Sequence, residues 1–276
     1  MPELPEVETI AAGLAPLVSA RSIRDVFLMH SRVVRGDDLE FQRRLLGRKV
    51  CGVRRRAKLL ILDLDGPLHL VFHLKMTGRV WVPDKGVQPG KHTHLILDLG
   101  DEVYVFFDDQ RRFGYVTALT PRELESWDFY RGLGPEPLHI SPQDFTEIFQ
   151  GRKARIKTLL LDQKVIAGIG NIYADEALYM AGIHPCTRAM DLSGDQLAAL
   201  HQNLQQVLQE AIQAGGSSFR DYRNALGVAG LFQKNFKVYG KKGLPCPECG
   251  TNLGSTRVAG RSSCFCPQCQ VTQNQA

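Results

Sequence analysis

The sequence predicts an α+β chain of several domains: an N-terminal helix leading into a β-sandwich, then a helical domain, then a C-terminal four-cysteine hairpin. Three observations carry this. Apolar residues repeat every three or four positions just after the start, and they alternate in paired runs over residues 22–120. Helical spacing returns from residue 141, and two Cys-x2-Cys knuckles follow near the end. At 276 residues the chain has room for more than one core.

Val7, Ile10, Leu14 and Leu17 fall at helical spacing, and Pro5 suits a first turn, where its missing N–H is not needed. Leu60, Leu62 and Leu64 run up to an Asp65-Gly66 turn, and Leu68, Val71 and Phe72 return. A second pair runs from His94 to Leu99, turns at Gly100-Asp101, and returns through Val103, Val105 and Phe107. Successive hairpins with Asp/Gly turns imply a sandwich or barrel over 1–125. Residues 126–140 carry two prolines and two glycines without periodicity and are expected to be an interdomain linker. Ser141-Pro142 starts the helical domain, expected over 141–230. Its clearest helix runs through Leu197, Leu200, Leu204, Val207, Leu208 and Ala211, capped by Ser193 and stopped by Gly215-Gly216. Residues 215–230 are rich in Gly, Ser and Asn and are expected to be a loop.

Residues 231–276 hold the knuckles Cys246-Pro-Glu-Cys249 and Cys266-Pro-Gln-Cys269. Four thiolates at this separation match a tetrahedral structural zinc site, a zinc finger with no open position for catalysis. One structural zinc ion is therefore expected, supplying folding free energy to a segment with little apolar core. Cys264 does not complete a knuckle and is taken as a non-ligand, while Cys51 and Cys186 are expected to be buried small apolar residues. An odd total of seven cysteines argues against a disulfide framework and for a reducing compartment.

Lys+Arg exceed Asp+Glu by 34 to 29, a mild excess arranged in separate clusters. Arg54, Arg55, Arg56 and Lys58 form one, Arg111 and Arg112 another, and Arg152, Lys153, Arg155 and Lys157 a third. Each alone reads as a solvated face; several together fit a surface that tracks phosphates. No 18-residue apolar stretch and no basic-then-apolar start appear, so neither a membrane span nor a secretory signal is expected.

The first residues bear the chemistry. Removal of Met1 leaves Pro2 as a secondary amine, a nucleophile able to form an iminium with an electrophilic carbon. Glu3 and Glu6 lie beside it, and the positive end of the following helix dipole disfavours a protonated amine.

With both ends in view, the chain resembles the formamidopyrimidine-DNA glycosylase family. The matching segments are Met1-Pro-Glu-Leu-Pro-Glu-Val-Glu-Thr9, Arg55-Arg-Ala-Lys58, His73-Leu-Lys-Met-Thr-Gly78 and Arg111-Arg-Phe-Gly114. Gly168-Ile-Gly-Asn-Ile-Tyr-Ala-Asp-Glu176, Ala181-Gly-Ile-His-Pro185, Val238-Tyr-Gly-Lys-Lys-Gly243 and the knuckles follow in order. The resemblance implies a helix–two-turn–helix element in the helical domain and a bifunctional glycosylase/AP lyase that removes oxidised purines from duplex DNA. It implies Pro2 as nucleophile, Glu3 as general acid/base, Glu6 as a supporting carboxylate, Lys58 as proton donor in β-elimination and Arg261 in δ-elimination. Phosphate binding is the better physical role for Arg261, since a guanidinium is a poor proton donor.

Met76, Arg111 and Phe113 match the triad that fills the void left by a flipped base, and Gln110 stands where many members carry Pro. His73, His92, Arg152, Lys157 and Asn171 align with phosphate- or lesion-contacting positions, and the 215–230 loop with one that covers the everted base. The family further implies a monomer in the bacterial cytoplasm, associated with the nucleoid. Two other readings stand beside this one: an endonuclease VIII-like enzyme for oxidised pyrimidines, and a catalytically silent zinc-containing DNA-binding protein.

Overall fold

The computed structural model describes residues 1–218 and 222–270. In chain order the elements are α1 (Leu4–Val18), β1 (Asp25–Leu28), α2 (Asp38–Leu45), β2 (Val50–Arg56), β3 (Leu59–Leu64), β4 (Leu68–His73), β5 (Gly78–Trp81), β6 (Thr93–Asp98), β7 (Tyr104–Asp109) and β8 (Tyr115–Leu119). They continue with α3 (Pro121–Ser126), α4 (Asp128–Arg131), α5 (Pro142–Phe149), α6 (Ile156–Leu161), α7 (Asn171–Met180), α8 (Gly194–Gln213), β9 (Gly254–Val258) and β10 (Arg261–Phe265).

By internal packing the chain divides into two compact units, residues 1–131 with 212–233, and residues 132–211 with 234–276. In the first unit two four-stranded antiparallel sheets, ordered β1-β6-β7-β5 and β2-β3-β4-β8, form the sandwich. Both hairpins read from the alternation form: Leu64 opposes Leu68 across the Asp65-Gly66 turn, and Asp98 opposes Tyr104. Helix α1 buries Val7, Ile10 and Leu14 in the same core as Leu60, Leu62, Leu70 and Phe72.

Residues 212–233, expected within the helical domain, belong to the N-terminal unit instead. The cause is packing: Ala225 is fully buried in the sandwich core, Tyr222 packs against it, and the Val82 N–H donates to the Ala225 carbonyl at 2.9 Å. The expected linker is also partly ordered, since Asp128–Arg131 form α4 and the Phe129 ring lies 5.7 Å from that of His73.

In the second unit, Ser141 caps α5 by accepting the Asp144 N–H, and the Ser193 hydroxyl accepts the Gln196 N–H at the start of α8. β9 and β10 form the antiparallel hairpin between the knuckles. Among the described residues no helix is long and apolar enough to cross a membrane.

Candidate active site and zinc centre

In the N-terminal unit the site is built at the start of α1. Glu3 is the N-cap and closes a capping box with Glu6, whose Oε2 accepts the Glu3 N–H at 2.8 Å. The other Glu6 oxygen accepts the Ser217 N–H at 2.8 Å, and the Tyr222 hydroxyl donates to the Glu6 carbonyl at 3.3 Å. Glu6 is 1% exposed and accepts a backbone N–H at each carboxylate oxygen, so it holds geometry. Burial and the nearby Glu6 charge push the Tyr222 phenol upward, keeping it a neutral donor. Pro2 is buried directly ahead of this cap, and Glu3 is 3% exposed.

Lys58 follows Ala57, which turns β2 into β3 at φ 53°. Two members of the basic cluster beside it are paired with acids within the unit. Arg55 Nε donates to Glu8 at 2.8 Å, its Nη1 supports the turn by donating to the Ala57 carbonyl at 3.1 Å, and Arg54 pairs with Asp63 at 2.8 Å. Arg55 is thus a buried brace between α1 and the Lys58 turn, a role the sequence pattern did not signal.

Met76, Arg111 and Phe113 come together from two loops. Arg111 Nη1 lies 2.9 Å from Met76 Sδ, and its guanidinium carbon lies 4.7 Å from the centre of the Phe113 ring. Phe113 is 54% exposed, which is costly for a phenyl ring without a partner surface. His92 is half-buried next to this group, its carbonyl accepting the Asp109 N–H at 2.9 Å.

His73 is the most enclosed of the expected contacts in this unit. It is buried between Tyr115 and Phe129, and its Nδ1 accepts the Lys75 N–H at 3.2 Å. Burial, then the charges of Lys75, Lys58 and Arg35, push it down to about 3. It is a neutral, enclosed imidazole whose Nδ1 accepts, which leaves the proton on Nε2, so it can meet a phosphate only as a neutral donor.

In the second unit α7 carries a row of polar anchors. At its first residue, Asn171 Nδ2 donates to the Ser262 carbonyl at 2.9 Å. Asp175 accepts Lys157 Nζ at 2.6 Å and the Cys264 N–H at 3.1 Å. Glu176 accepts three backbone N–H groups, from Lys237, Val238 and Tyr239, at 2.7, 3.0 and 2.7 Å. The Tyr179 hydroxyl lies 3.2 Å from Cys246 Sγ. Burial pushes the Asp175 carboxyl up to about 6 against the pull of Lys157, and burial raises Glu176 against its backbone donors.

This row corrects one expectation. Lys157 is fully buried, and besides Asp175 it donates to Ser263 Oγ at 2.7 Å. It braces the β9–β10 hairpin from inside, so it does not reach a phosphate. Arg152, in the same basic run, is exposed, as is Arg261, which follows Ala259 and Gly260 at φ 49° and 72°. Two acids inside an otherwise apolar helical run were a readable sign of buried polar anchors; Tyr179 gave none.

The four expected cysteines converge. The sulfur atoms of Cys246, Cys249, Cys266 and Cys269 lie within 4.8 Å of one another. The edge of a tetrahedral four-thiolate zinc site is about 3.8 Å, given Zn–S bonds of about 2.3 Å. The donor set fits one zinc ion with all four positions filled by protein. Cys264 stands outside it, buried beside Tyr179, Val238 and Leu253. Cys51, expected to be buried, is exposed where a register shift between Val50 and Gly52 interrupts the β2 ladder.

Comparisons with known proteins give one answer along the whole chain. Residues 1–116 match the formamidopyrimidine-DNA glycosylase N-terminal domain, 133–223 the H2TH domain of the same proteins, and 243–271 a zinc finger found in FPG and IleRS. A formamidopyrimidine-DNA glycosylase of Nitratidesulfovibrio vulgaris is 51% identical over 219 residues, covering 79% of this chain and 60% of that protein's own length. The Chloroflexus aurantiacus protein of that name is 44% identical over 100% of this chain and 99% of its own.

Among solved structures, a complex of a Lactococcus lactis FPG mutant with Fapy-dG containing DNA has a TM-score of 0.92 at 34% identity, covering 98% of this chain and 100% of that one. The wild-type Lactococcus lactis protein in complex with an oxidised-pyrimidine containing DNA has a TM-score of 0.91 at 33% identity, with the same coverage.

Proposed function

Because this chain belongs to the formamidopyrimidine-DNA glycosylase family, we propose that it removes oxidised purines from duplex DNA through a covalent intermediate on Pro2. The chain is a DNA glycosylase of base-excision repair, its partner is DNA, and the family is a glycosylase/AP lyase.

The observation that carries it is the start of α1, where a buried Glu3 caps the helix next to Pro2 and Glu6 ties that cap to Ser217. With Met1 in place the Pro2 nitrogen is an amide and inert. Once Met1 is removed, the Pro2 nitrogen attacks C1′ of the flipped nucleotide. The N–C1′ bond forms as the glycosidic bond breaks, and the base leaves with a proton passed through Glu3. The C1′–O4′ bond then breaks, the ring oxygen taking a proton from Glu3, and the iminium so formed acidifies the C2′ proton, so the 3′ phosphate leaves by β-elimination and the 5′ phosphate by δ-elimination. Lys58 moves protons at the sugar in these steps, and Arg261 orients the phosphate. Glu6 positions the cap and does not itself transfer protons.

Met76, Arg111 and Phe113 occupy the space vacated by the flipped base. Met and Phe act as wedges, and the Arg111 guanidinium offers donors to the orphaned cytosine. Arg152 and Asn171 bind the DNA backbone, His92 supports the lesion side, and one zinc ion on the four thiolates holds the β9–β10 hairpin. The enzyme works as a monomer in the bacterial cytoplasm, at the nucleoid.

A lesion panel tests the substrate class. Duplexes carrying 8-oxoguanine, a formamidopyrimidine, or an oxidised pyrimidine are compared by single-turnover excision. The purine lesions are expected to be cut faster by about tenfold or more, the scale of one well-placed polar contact to the base. Equal or faster excision of the pyrimidine contradicts the purine reading, a live alternative given the pyrimidine complex of the Lactococcus relative.

A further inference from the structure

Asp109, at the end of β7, belongs to none of the roles above, yet it is the most heavily engaged side chain near the exposed triad. It is fully buried. Its Oδ1 accepts the Thr77 hydroxyl at 2.5 Å and the Arg111 N–H at 3.2 Å, and its Oδ2 accepts the Gly114 N–H at 2.7 Å. Thr77 Oγ1 in turn accepts the Arg111 N–H at 3.0 Å. The Asp109 main chain is held as well. Its N–H donates to the His92 carbonyl at 2.9 Å, and its carbonyl lies 2.7 Å from His94 Nε2, which must carry the proton because a carbonyl can only accept.

Three side chains have to act as one wedge, and they lie beyond the last rung of the β5–β7 ladder, where Gly78 opposes Asp109: Met76 precedes β5, while Arg111 and Phe113 follow β7, so no ladder bond holds the two loops to each other past that rung. One carboxylate accepts a donor from each loop. Gly114 leaves room for this, since a Cβ there would lie 3.0 Å from Asp109 Oδ2 and 2.9 Å from the Phe107 ring. Thr77 locks the first loop and Arg111 and Gly114 bracket the second, with Phe113 between them. Arg112 sits in that bracket at φ 56°, a conformation that needs support from outside the residue.

We propose that Asp109 is the positioning residue that fastens these two loops together, so that Met76, Arg111 and Phe113 form a preassembled wedge before DNA arrives. This rests on the reading of those three residues as void-filling. A carboxylate is required, because all its partners are donors. An amide at this position turns its NH2 toward either the Gly114 N–H or the Thr77–Arg111 pair, and one side of the bracket opens.

The test uses D109N and T77V, with T77S as the conservative rescue and F113A as the control for the wedge. Each is assayed on an 8-oxoguanine:cytosine duplex, and by borohydride trapping on single-stranded abasic DNA, where no void is left to fill. D109N and T77V are expected to lower duplex excision by about tenfold, the scale of one unpaired buried donor, with single-stranded trapping within about twofold of wild type and T77S near wild type.

T77V leaves Asp109 its two backbone donors, so it reports even where D109N fails to fold. Loss of both activities in equal measure makes the knot merely structural and overturns the proposal, as does an unchanged duplex rate. If F113A lowers duplex excision and T77V and D109N do not, the proposal alone fails. If F113A leaves duplex excision unchanged, the wedge reading fails first and the proposal falls with it.

Discussion

The two units solve the same problem, holding polar groups still, by opposite means. The N-terminal unit has a large apolar core of α1 and both sheets, and its site residues rest on backbone hydrogen bonds at the rim of that core. The zinc-bearing hairpin packs over a small cluster of Tyr179, Val238, Cys246, Leu253, Cys264 and Cys266, and relies on buried charge and thiolates. A core of that size cannot offset the ordering entropy of the segment, so metal ligation and the α7 anchors must. The first unit therefore keeps its shape without a cofactor, and the hairpin of the second does not.

The largest effect that would break this contrast is on the metal. Removal of zinc by chelation, or the substitution Cys249→Ser, is expected to unfold the hairpin and abolish DNA binding, since structural zinc contributes on the order of 10 kcal/mol. Hydrogen exchange should then show residues 243–270 unprotected while the sandwich strands keep their protection. Loss of protection in both units together would erase the distinction.

A smaller effect sharpens it. Lys157→Ala strands Asp175 in a fully buried site and is expected to cost about 3–5 kcal/mol in urea unfolding of the second unit. The paired change Lys157→Met with Asp175→Leu should recover most of that loss. A double variant as unstable as the single would mean that the ion pair itself, and not the uncompensated charge, is what matters.

The smallest effect lies in the sandwich. His73 is held neutral down to about pH 3, whereas an unfolded histidine protonates near 6.5. Between those values the unfolded chain binds a proton that the folded chain does not. Stability should therefore fall as pH drops below 6.5, by about 1.4 kcal/mol per unit. His73→Gln keeps an acceptor for the Lys75 N–H and should flatten that slope in urea midpoints measured from pH 7 to 5. An unchanged slope would remove His73 from the acid limb.

The same contrast explains what was legible in the sequence. Hairpins with Asp/Gly turns, the helix start at Pro5 and the two knuckles are local patterns, and each appears in its expected place. What escaped depends on partners far along the chain. Arg152 and Lys157 are alike as sequence, and only Asp175, 18 residues on, decides that Lys157 turns inward. Arg54 and Arg55 suggest an open basic face until Asp63 and Glu8 are seen to pair with them. The return of Tyr222 and Ala225 to the sandwich has no local signature, because the surface that receives them lies more than 100 residues earlier in the chain.

Everything chemical turns on the residue that captures the sugar. The most direct measurement is intact-mass and peptide analysis of the enzyme trapped with borohydride on an 8-oxoguanine duplex. The expected result is a chain lacking Met1, with the reduced sugar attached to the Pro2 nitrogen. An active enzyme that retains Met1, or an adduct on Lys58 instead, would contradict it.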